Sequence, residues 1–244
     1  MFDLQKASLT KRVSALLLDL ILLATLACGF GALLSAALNY DSCTDALNAC
    51  YEKYEQLYGV DFDITAEEFE TLSQEKQLLY QQADEALQSD EDALRAYNMV
   101  INLSLVIVSI SILLGYLALE FAVPLLFGNG QTVGKKVFGI ALMRVDGVRL
   151  TTLALFVRTV LGKYAIETMI PVLIIMMMLL GTIGIVGPLV LLAIIALQII
   201  LMAVSKTNAT IHDQMAATVA VDLSSQMIFD SQEALVAYKQ KIHN

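Results

Sequence analysis

Hydrophobic positions along this chain gather into long unbroken runs. They show neither the alternation of a half-buried strand nor the one-sided stripe of a soluble helix. Leu16 to Leu38 carries one charge, Asp19; Met99 to Leu126 carries one, Glu120; Met169 to Val204 carries none. A bilayer's hydrocarbon takes about 20 apolar residues to cross as a helix, so each run reads as membrane-spanning. The last apolar block, Ala165 to Val204, would be about 60 Å long as one helix, too long for one crossing. Gly181, Gly184, Gly187 and Pro188 punctuate its middle and predict a tight turn. The pattern therefore predicts an all-α fold, a four-span transmembrane bundle with spans near 13–38, 99–123, 165–182 and 186–204.

The first run is long enough to be told from a secretory signal. Lys6, Lys11 and Arg12 resemble a basic leader, but the apolar run continues to Leu38, beyond the roughly 7–15 residues of a signal core, and Asp19 lies inside it. It reads as an uncleaved helix. Composition agrees: 57% of residues are hydrophobic, 16% are charged, and mean hydropathy is +0.69, outside the usual range of a soluble domain.

Charge then orients the spans and divides the chain. The flank and first span cover 1–39, an insertion covers 40–97, the second span 98–127, an elbow 128–164, the hairpin of spans three and four 165–204, and a tail 205–244. The N-terminal flank has Lys6, Lys11 and Arg12. The elbow has Lys135, Lys136, Arg144, Arg149, Arg158 and Lys163. The tail has Lys206, Lys239 and Lys241. An even number of spans puts these three on one side, and basic flanks mark it as cytoplasmic. The segment 40–97 has 15 acidic residues against Lys53, Lys76 and Arg95, so its net charge is 3 − 15 = −12, more negative than the −9 of the whole chain. It is expected outside, with both termini inside.

The insertion is patterned for helices. Leu47, Tyr51, Tyr54, Leu57 and Tyr58 recur at helical spacing, Thr65 to Glu68 forms a capping box, and Ser89 with Asp92 is a second candidate cap. Two or three helices are expected, the last running into the second span, as a solvated acidic surface. Asp61, Asp63 and Thr65 hint at a calcium loop, but Ala66 stands where the glycine is needed and Leu72 where the last glutamate is. Cys43 and Cys50 are a candidate disulfide in an oxidising exterior. On one continuous helix they would lie about 10 Å apart along the axis, out of reach, so a bridge requires Cys43 to precede the helix.

Phe127 to Gly147, FGNGQTVGKKVFGIALMRVDG, invites comparison with a phosphate-binding loop. The motif demands four residues between its glycine and the GK pair, with Ser or Thr next. Asn129 stands at the first position and Lys136 at the last, so the match fails. The alternative is an elbow: Thr132 caps a short helix with Val133, Val137, Ile140 and Ala141 on one face and Lys135 and Lys136 on the other. Gly130 and Gly134 serve turns and close packing, and Asp146-Gly147 turns a small hairpin between Met143 and Leu150. Such a basic amphipathic element would lie on anionic inner-leaflet lipids.

Charges placed within or beside spans are costly and each calls for a reason. Arg12 and Asp19, in KRVSALLLD, lie two helical turns apart on one face. Glu120 closes the second span, Arg158 precedes the third, and Asp213 follows the fourth in HDQMAATVAV. One arginine and two aspartates in this order resemble the RDD family of bacterial multi-pass membrane proteins. Glu120, the Gly130-Thr132-Gly134-Lys135 element and Arg158 are similar to further features of that family. The acidic insertion departs from the short connection expected of compact members. The resemblance implies a membrane protein and, loosely, a transport role.

Asp19 and Glu120, with Arg12 or Arg158 as neutralising partners, read either as an ion or proton path or as pairs that fix helix register. His212 and His243 are the only histidines, with no cysteine beside them, so no metal site and no cofactor are expected. Asn208 to Thr210 forms a glycosylation sequon on the inner side, where it is without meaning. No nucleophile motif supports an enzyme, and the negative net charge leaves no footprint for nucleic acid. Two functions stay open. One is a transporter of a proton, sodium ion or small solute, which with only four spans calls for a homo-oligomer. The other is a non-transporting accessory protein that holds an unidentified membrane partner through the acidic cap or the basic elbow.

Overall fold

The computed structural model describes residues 4–243, with side chains as far as Lys241; the His243 side chain lies outside the described residues. In chain order the elements are α1 (Leu9–Ala37), α2 (Tyr40–Tyr58), α3 (Ala66–Thr71), α4 (Gln74–Ser89), α5 (Glu91–Tyr116), a π-helical turn (Leu117–Ala122), α6 (Val123–Phe127), α7 (Val133–Val137), β1 (Ile140–Arg144), α8 (Thr152–Phe156), a long π-helical segment (Val157–Met169), α9 (Ile170–Leu179), α10 (Val186–Val204), α11 (Ile211–Met215), β2 (Thr218–Asp222) and α12 (Gln232–His243).

Among the described residues four continuous helices are long and apolar enough to cross a membrane: Leu9–Ala37, Glu91–Phe127, Thr152–Leu179 and Val186–Val204. Only 6% of the most apolar stretch of the last is buried within the protein. Leu16, Ile21, Leu33, Leu192 and Ile199 are each more than half exposed. Apolar side chains at this density are covered by lipid, so the chain is a multi-pass membrane protein. Between the last two spans Gly181 and Gly184 adopt positive φ, as a tight turn requires. Gly187 and Pro188 fall inside α10 instead. A Cβ on Gly187 would come 2.5 Å from Met178 Cγ, so its lack of a side chain lets α9 and α10 approach.

The third span begins earlier than hydropathy predicts. Thr151 caps it, its hydroxyl accepting from Ala154 N at 3.2 Å, and Arg158 and Lys163 lie inside the helix. Hydropathy counts a charge as an interruption; paired and buried charges do not interrupt a helix.

The chain packs as two compact units, one made of the residues up to Cys28 and from Ser111 onward, the other Gly29–Ile110. The second unit holds the acidic segment in helices α2, α3 and α4. Tyr54, Leu87 and Ala93 form its core, with Tyr51, Tyr58 and Phe62 packed around them. The Thr65 capping box is present, with Glu68 N donating to Thr65 Oγ1 and Thr65 N to Glu68 Oε2. The cap of α5 is Asp90, not Ser89. Asp90 Oδ1 accepts from Asp92 N and Ala93 N, while Oδ2 accepts from Lys53 Nζ and Tyr54 OH. These donors hold the Asp90 carboxyl well below the usual carboxylate range. The candidate bridge between Cys43 and Cys50 does not form. Both are inside α2 and both thiols are free, because the helix starts at Tyr40 and leaves no loop to swing Cys43 round.

In the first unit, β1 pairs antiparallel with β2, Leu142 opposite Ala220 and Arg144 opposite Thr218. This two-stranded ribbon departs from the expected all-α structure. Both its faces are buried: Ile140 and Leu142 pack with Ala7, Ala15 and Ala220, while Ala141 and Met143 pack with Val219, Val221 and Leu4. The elbow is therefore not one amphipathic helix. The helix stops at Val137, and Ile140 and Ala141 belong to the strand. The turn at Asp146-Gly147 does form, closed by Arg144 N to Val148 O at 2.9 Å, but it leads to a single bridge between Met143 and Arg149. A Cβ on Gly130 would come 2.9 Å from Leu142 Cβ, so this glycine lets the chain pass close over the ribbon.

Candidate functional site

Charges from five separated parts of the sequence converge within the first unit. Asp19 on α1 reaches α7: its Oδ1 accepts from Gly134 N at 2.7 Å and its Oδ2 from Thr132 Oγ1 at 2.5 Å. Thr132 is also the local cap, accepting from Lys135 N. Asp19 thus serves the first turn of α7 from across the fold, where a carboxylate suits the unpaired N–H groups. Gly134 is required by this contact, since a Cβ there would collide with Ala15 O and meet Asp19 Cγ at 2.9 Å.

Lys135 is buried rather than laid on a lipid surface. Its Nζ donates to Thr132 Oγ1 at 3.1 Å and lies 3.6 Å from Asp19 Oδ2 and 3.7 Å from Glu120 Oε2. Lys136 is the one that faces outward, over the Phe127 ring at 3.7 Å. Glu120 pairs on its other oxygen with Lys163. The Glu120 carbonyl would look one α-helical turn on to Pro124, which has no N–H; Thr159 Oγ1 donates to it at 2.9 Å.

A second group is centred on Asp213. Arg158 donates to Oδ1 from Nε at 3.1 Å and from Nη2 at 2.8 Å. Arg12 donates from Nη2 to Oδ2 at 3.2 Å and from Nη1 to Asn208 O at 2.7 Å. Thr210 and Thr218 hydroxyls complete the shell. Next to it, Glu167 accepts from His212 N at 3.0 Å and sits 2.6 Å from His212 Nδ1. Gly162 makes this approach possible, because a Cβ there would come 2.6 Å from His212 Cβ.

The expected pairing is thereby corrected. Arg12 and Arg158 neutralise Asp213, while Lys135 and Lys163 neutralise Asp19 and Glu120. Sequence reasoning missed Glu167 and gave Lys163 no partner. On an α-helix Lys163 would point about 140° away from Arg158. The π-helical segment, with i→i+5 bonds, brings residues five apart into line, so both are buried toward the cluster. A spacing of five between charges in an otherwise apolar stretch was the available signal.

Burial and charge set the protonation of the groups outside the spans. Burial pushes Lys135 down to about 8 from 10.5, against the attraction of Glu120, with Lys163 and Arg158 adding to the fall. Burial likewise lowers His212, assisted by Arg158 and opposed by Asp213 and Glu167. At Asp213 burial alone would resist ionisation, but Arg158, His212 and Arg12 outweigh it and keep the carboxylate charged far below its ordinary range. Among the described residues no set of three His, Cys, Asp or Glu side chains is arranged to hold a metal ion.

A cavity of about 130 Å³ opens beside the cluster, bordered by Arg12, Asp19, Lys135, Arg158, Lys163 and His212. Of the residues the sequence pointed to, Arg12, Asp19, Glu120, Thr132, Gly134, Lys135, Arg158 and Asp213 come together here. Gly130 instead supports the ribbon, and Cys43 and Cys50 belong to the other unit.

No curated protein and no solved structure matches the chain. The RDD family model matches residues 6–217, from Lys6 through both aspartates to the residue before β2. With Arg12 paired to Asp213, Asp19 buried against Thr132, Gly134 and Lys135, and a family match over most of its length, the chain belongs to the RDD family.

Proposed function

We propose that this membrane protein moves a small cation, either sodium in exchange for a proton carried by Lys135 or that proton alone. The observation that carries this reading is the placement of one buried ammonium within 4 Å of two carboxylates, Asp19 and Glu120, at the edge of a cavity. Its affinity for a proton, lowered to about 8, suits release near physiological pH. Loss of the Lys135 proton leaves Asp19 Oδ2 and Glu120 Oε2 facing a neutral amine, a set of hard donors for a cation. Lys163 stays paired with Glu120 throughout. The reading places the protein in a bacterial cell membrane with both termini and the charge cluster cytoplasmic, from the basic flanks. It assigns no catalytic chemistry and uses a homo-oligomer to supply a closed path.

A second reading, an accessory protein that holds a membrane partner, is favoured by one observation. The segment with net charge −12 is built into a compact unit of its own with its own aromatic core.

Cation-driven proton movement in proteoliposomes separates the two. Wild type, Asp19→Asn and Lys135→Met are compared, each checked for insertion and folding. Exchange by wild type that both variants lose supports the transport reading. A folded wild type that dissipates no proton gradient with sodium, potassium or lithium removes it in favour of the accessory role.

A further inference from the structure

The lining of the cavity beside the cluster holds more cations than carboxylates. Arg12, Lys135, Arg158 and Lys163 border it, while the carboxylates of Asp213 and Glu120 stand behind them and do not. The one bordering carboxylate, Asp19, is already served by Thr132 Oγ1, Gly134 N and Lys135 Nζ. A guanidinium has five N–H donors and an ammonium three. Arg158 spends Nε and Nη2 on Asp213, and its Nη1 is buried with no hydrogen-bond partner among the described residues. A buried donor left unmet costs free energy that a ligand acceptor recovers.

The rim has the opposite character. Val13 and Leu16 on α1 and Met202 on α10 line it, and Val13 and Leu16 are 45% and 56% exposed. A cationic floor under an apolar rim at the end of two spans suits an oxyanion attached to a hydrocarbon chain.

We propose that this cavity binds one phosphate group, with Arg158 and Arg12 as its principal donors, Lys135 and Lys163 as flanking charges, and the Val13, Leu16 and Met202 rim against an acyl chain. The source is an anionic phospholipid head group or free phosphate; the chemistry at the floor is the same. Arginine's planar fork matches phosphate oxygens, and Arg12 at the mouth is the less buried of the two. The site does not rest on ion exchange, and it would serve an accessory protein equally well.

The test uses the full-length protein in neutral detergent and three probes: phosphatidylglycerol, phosphatidylcholine and inorganic phosphate. Retained lipid is counted by native mass spectrometry and phosphate by equilibrium dialysis. Arg12→Gln is set against Lys11→Gln, which removes the same charge one residue away from a side chain that pairs with Asp222 outside the cavity. Val13→Trp fills the rim and leaves every charge in place. One phosphatidylglycerol per chain, with phosphatidylcholine lost, assigns the site to lipid; saturable phosphate with no lipid preference assigns it to the free ion. In either case Arg12→Gln weakens binding about tenfold, Val13→Trp weakens it while melting like wild type, and Lys11→Gln leaves it unchanged. Equal retention of both lipids without phosphate binding, or equal loss in Arg12→Gln and Lys11→Gln, overturns the proposal.

Discussion

Arg158 on the third span donates two hydrogen bonds to a single oxygen of Asp213, at 3.1 and 2.8 Å, across 55 residues of sequence. The pair is almost without solvent contact, the two side chains being 3% and 1% exposed. It ties the long π-helical segment to α11, while Arg12 ties α1 to the other oxygen of Asp213. Buried pairs of this kind contribute little relative to an apolar replacement of both partners, but removing one partner strands a charge.

Asp213→Asn is therefore expected to destabilise the protein by about 3–5 kcal/mol, because Arg158 and Arg12 lose their shared counter-charge. Arg158→Lys keeps the charge but cannot make both bonds, and its loss is expected to be smaller, about 1.5–3 kcal/mol. Thermal unfolding in one detergent, followed by helical circular dichroism, ranks the two. Equal melting of wild type and Asp213→Asn would remove the pair from the list of structural necessities.

Gly162→Ala places a Cβ 2.6 Å from His212 Cβ and 2.7 Å from His212 Cα. Backbone cannot rotate away as a side-chain tip can, so the third span and α11 must separate, at a cost of about 1–3 kcal/mol. Gly29→Ala is the matched control: nothing lies within 4 Å of its Cβ position, and alanine in a helix is favoured over glycine by roughly 0.5–1 kcal/mol. The two substitutions should shift the melting temperature in opposite directions.

Lys135 binds its proton more weakly folded than unfolded, about 8 against 10.5. Between those values the unfolded chain holds more protons, so this group makes stability rise with pH across that window, and its burden is fully present below it. His212 is also lowered from 6.5, so the unfolded chain takes up a proton that the folded one refuses, and stability falls as pH drops below 6.5. Unfolding midpoints of wild type, Lys135→Met and His212→Gln from pH 5 to 10 test both. Lys135→Met should flatten the alkaline rise and His212→Gln the acidic fall. Selective ¹⁵N labelling of lysine should show one Nζ titrating near 8, and an unshifted set would contradict the buried placement of Lys135.

Cys43 and Cys50, both on α2, should each react with a maleimide in the absence of reductant. Electrophoretic mobility should be the same with and without reduction. A mobility shift that disappears in Cys43→Ser would mean that α2 starts later than Tyr40.

The number of spans, the hairpin at Gly181 and Gly184, the capping box at Thr65 and the Arg12, Asp19, Asp213 pattern were legible in the sequence alone. Each rests on local chemistry: the apolar length that a bilayer demands, the left-handed backbone that glycine permits, a hydroxyl three residues before a glutamate. Glu120, Arg158, Thr132, Gly134 and Lys135 were likewise visible as candidates, because a polar group beside or inside a span needs a reason. Only the tertiary structure decided who pairs with whom. The π-helical turns rotate Lys163 into line with Arg158, and β2 arrives from beyond the last span to pair along the edge of β1. Asp19 caps a helix that starts more than a hundred residues later. Hydrogen bonds and ion pairs across such separations depend on helix rotation and strand register. A single sequence records these only as the presence of the partners, not as their choice.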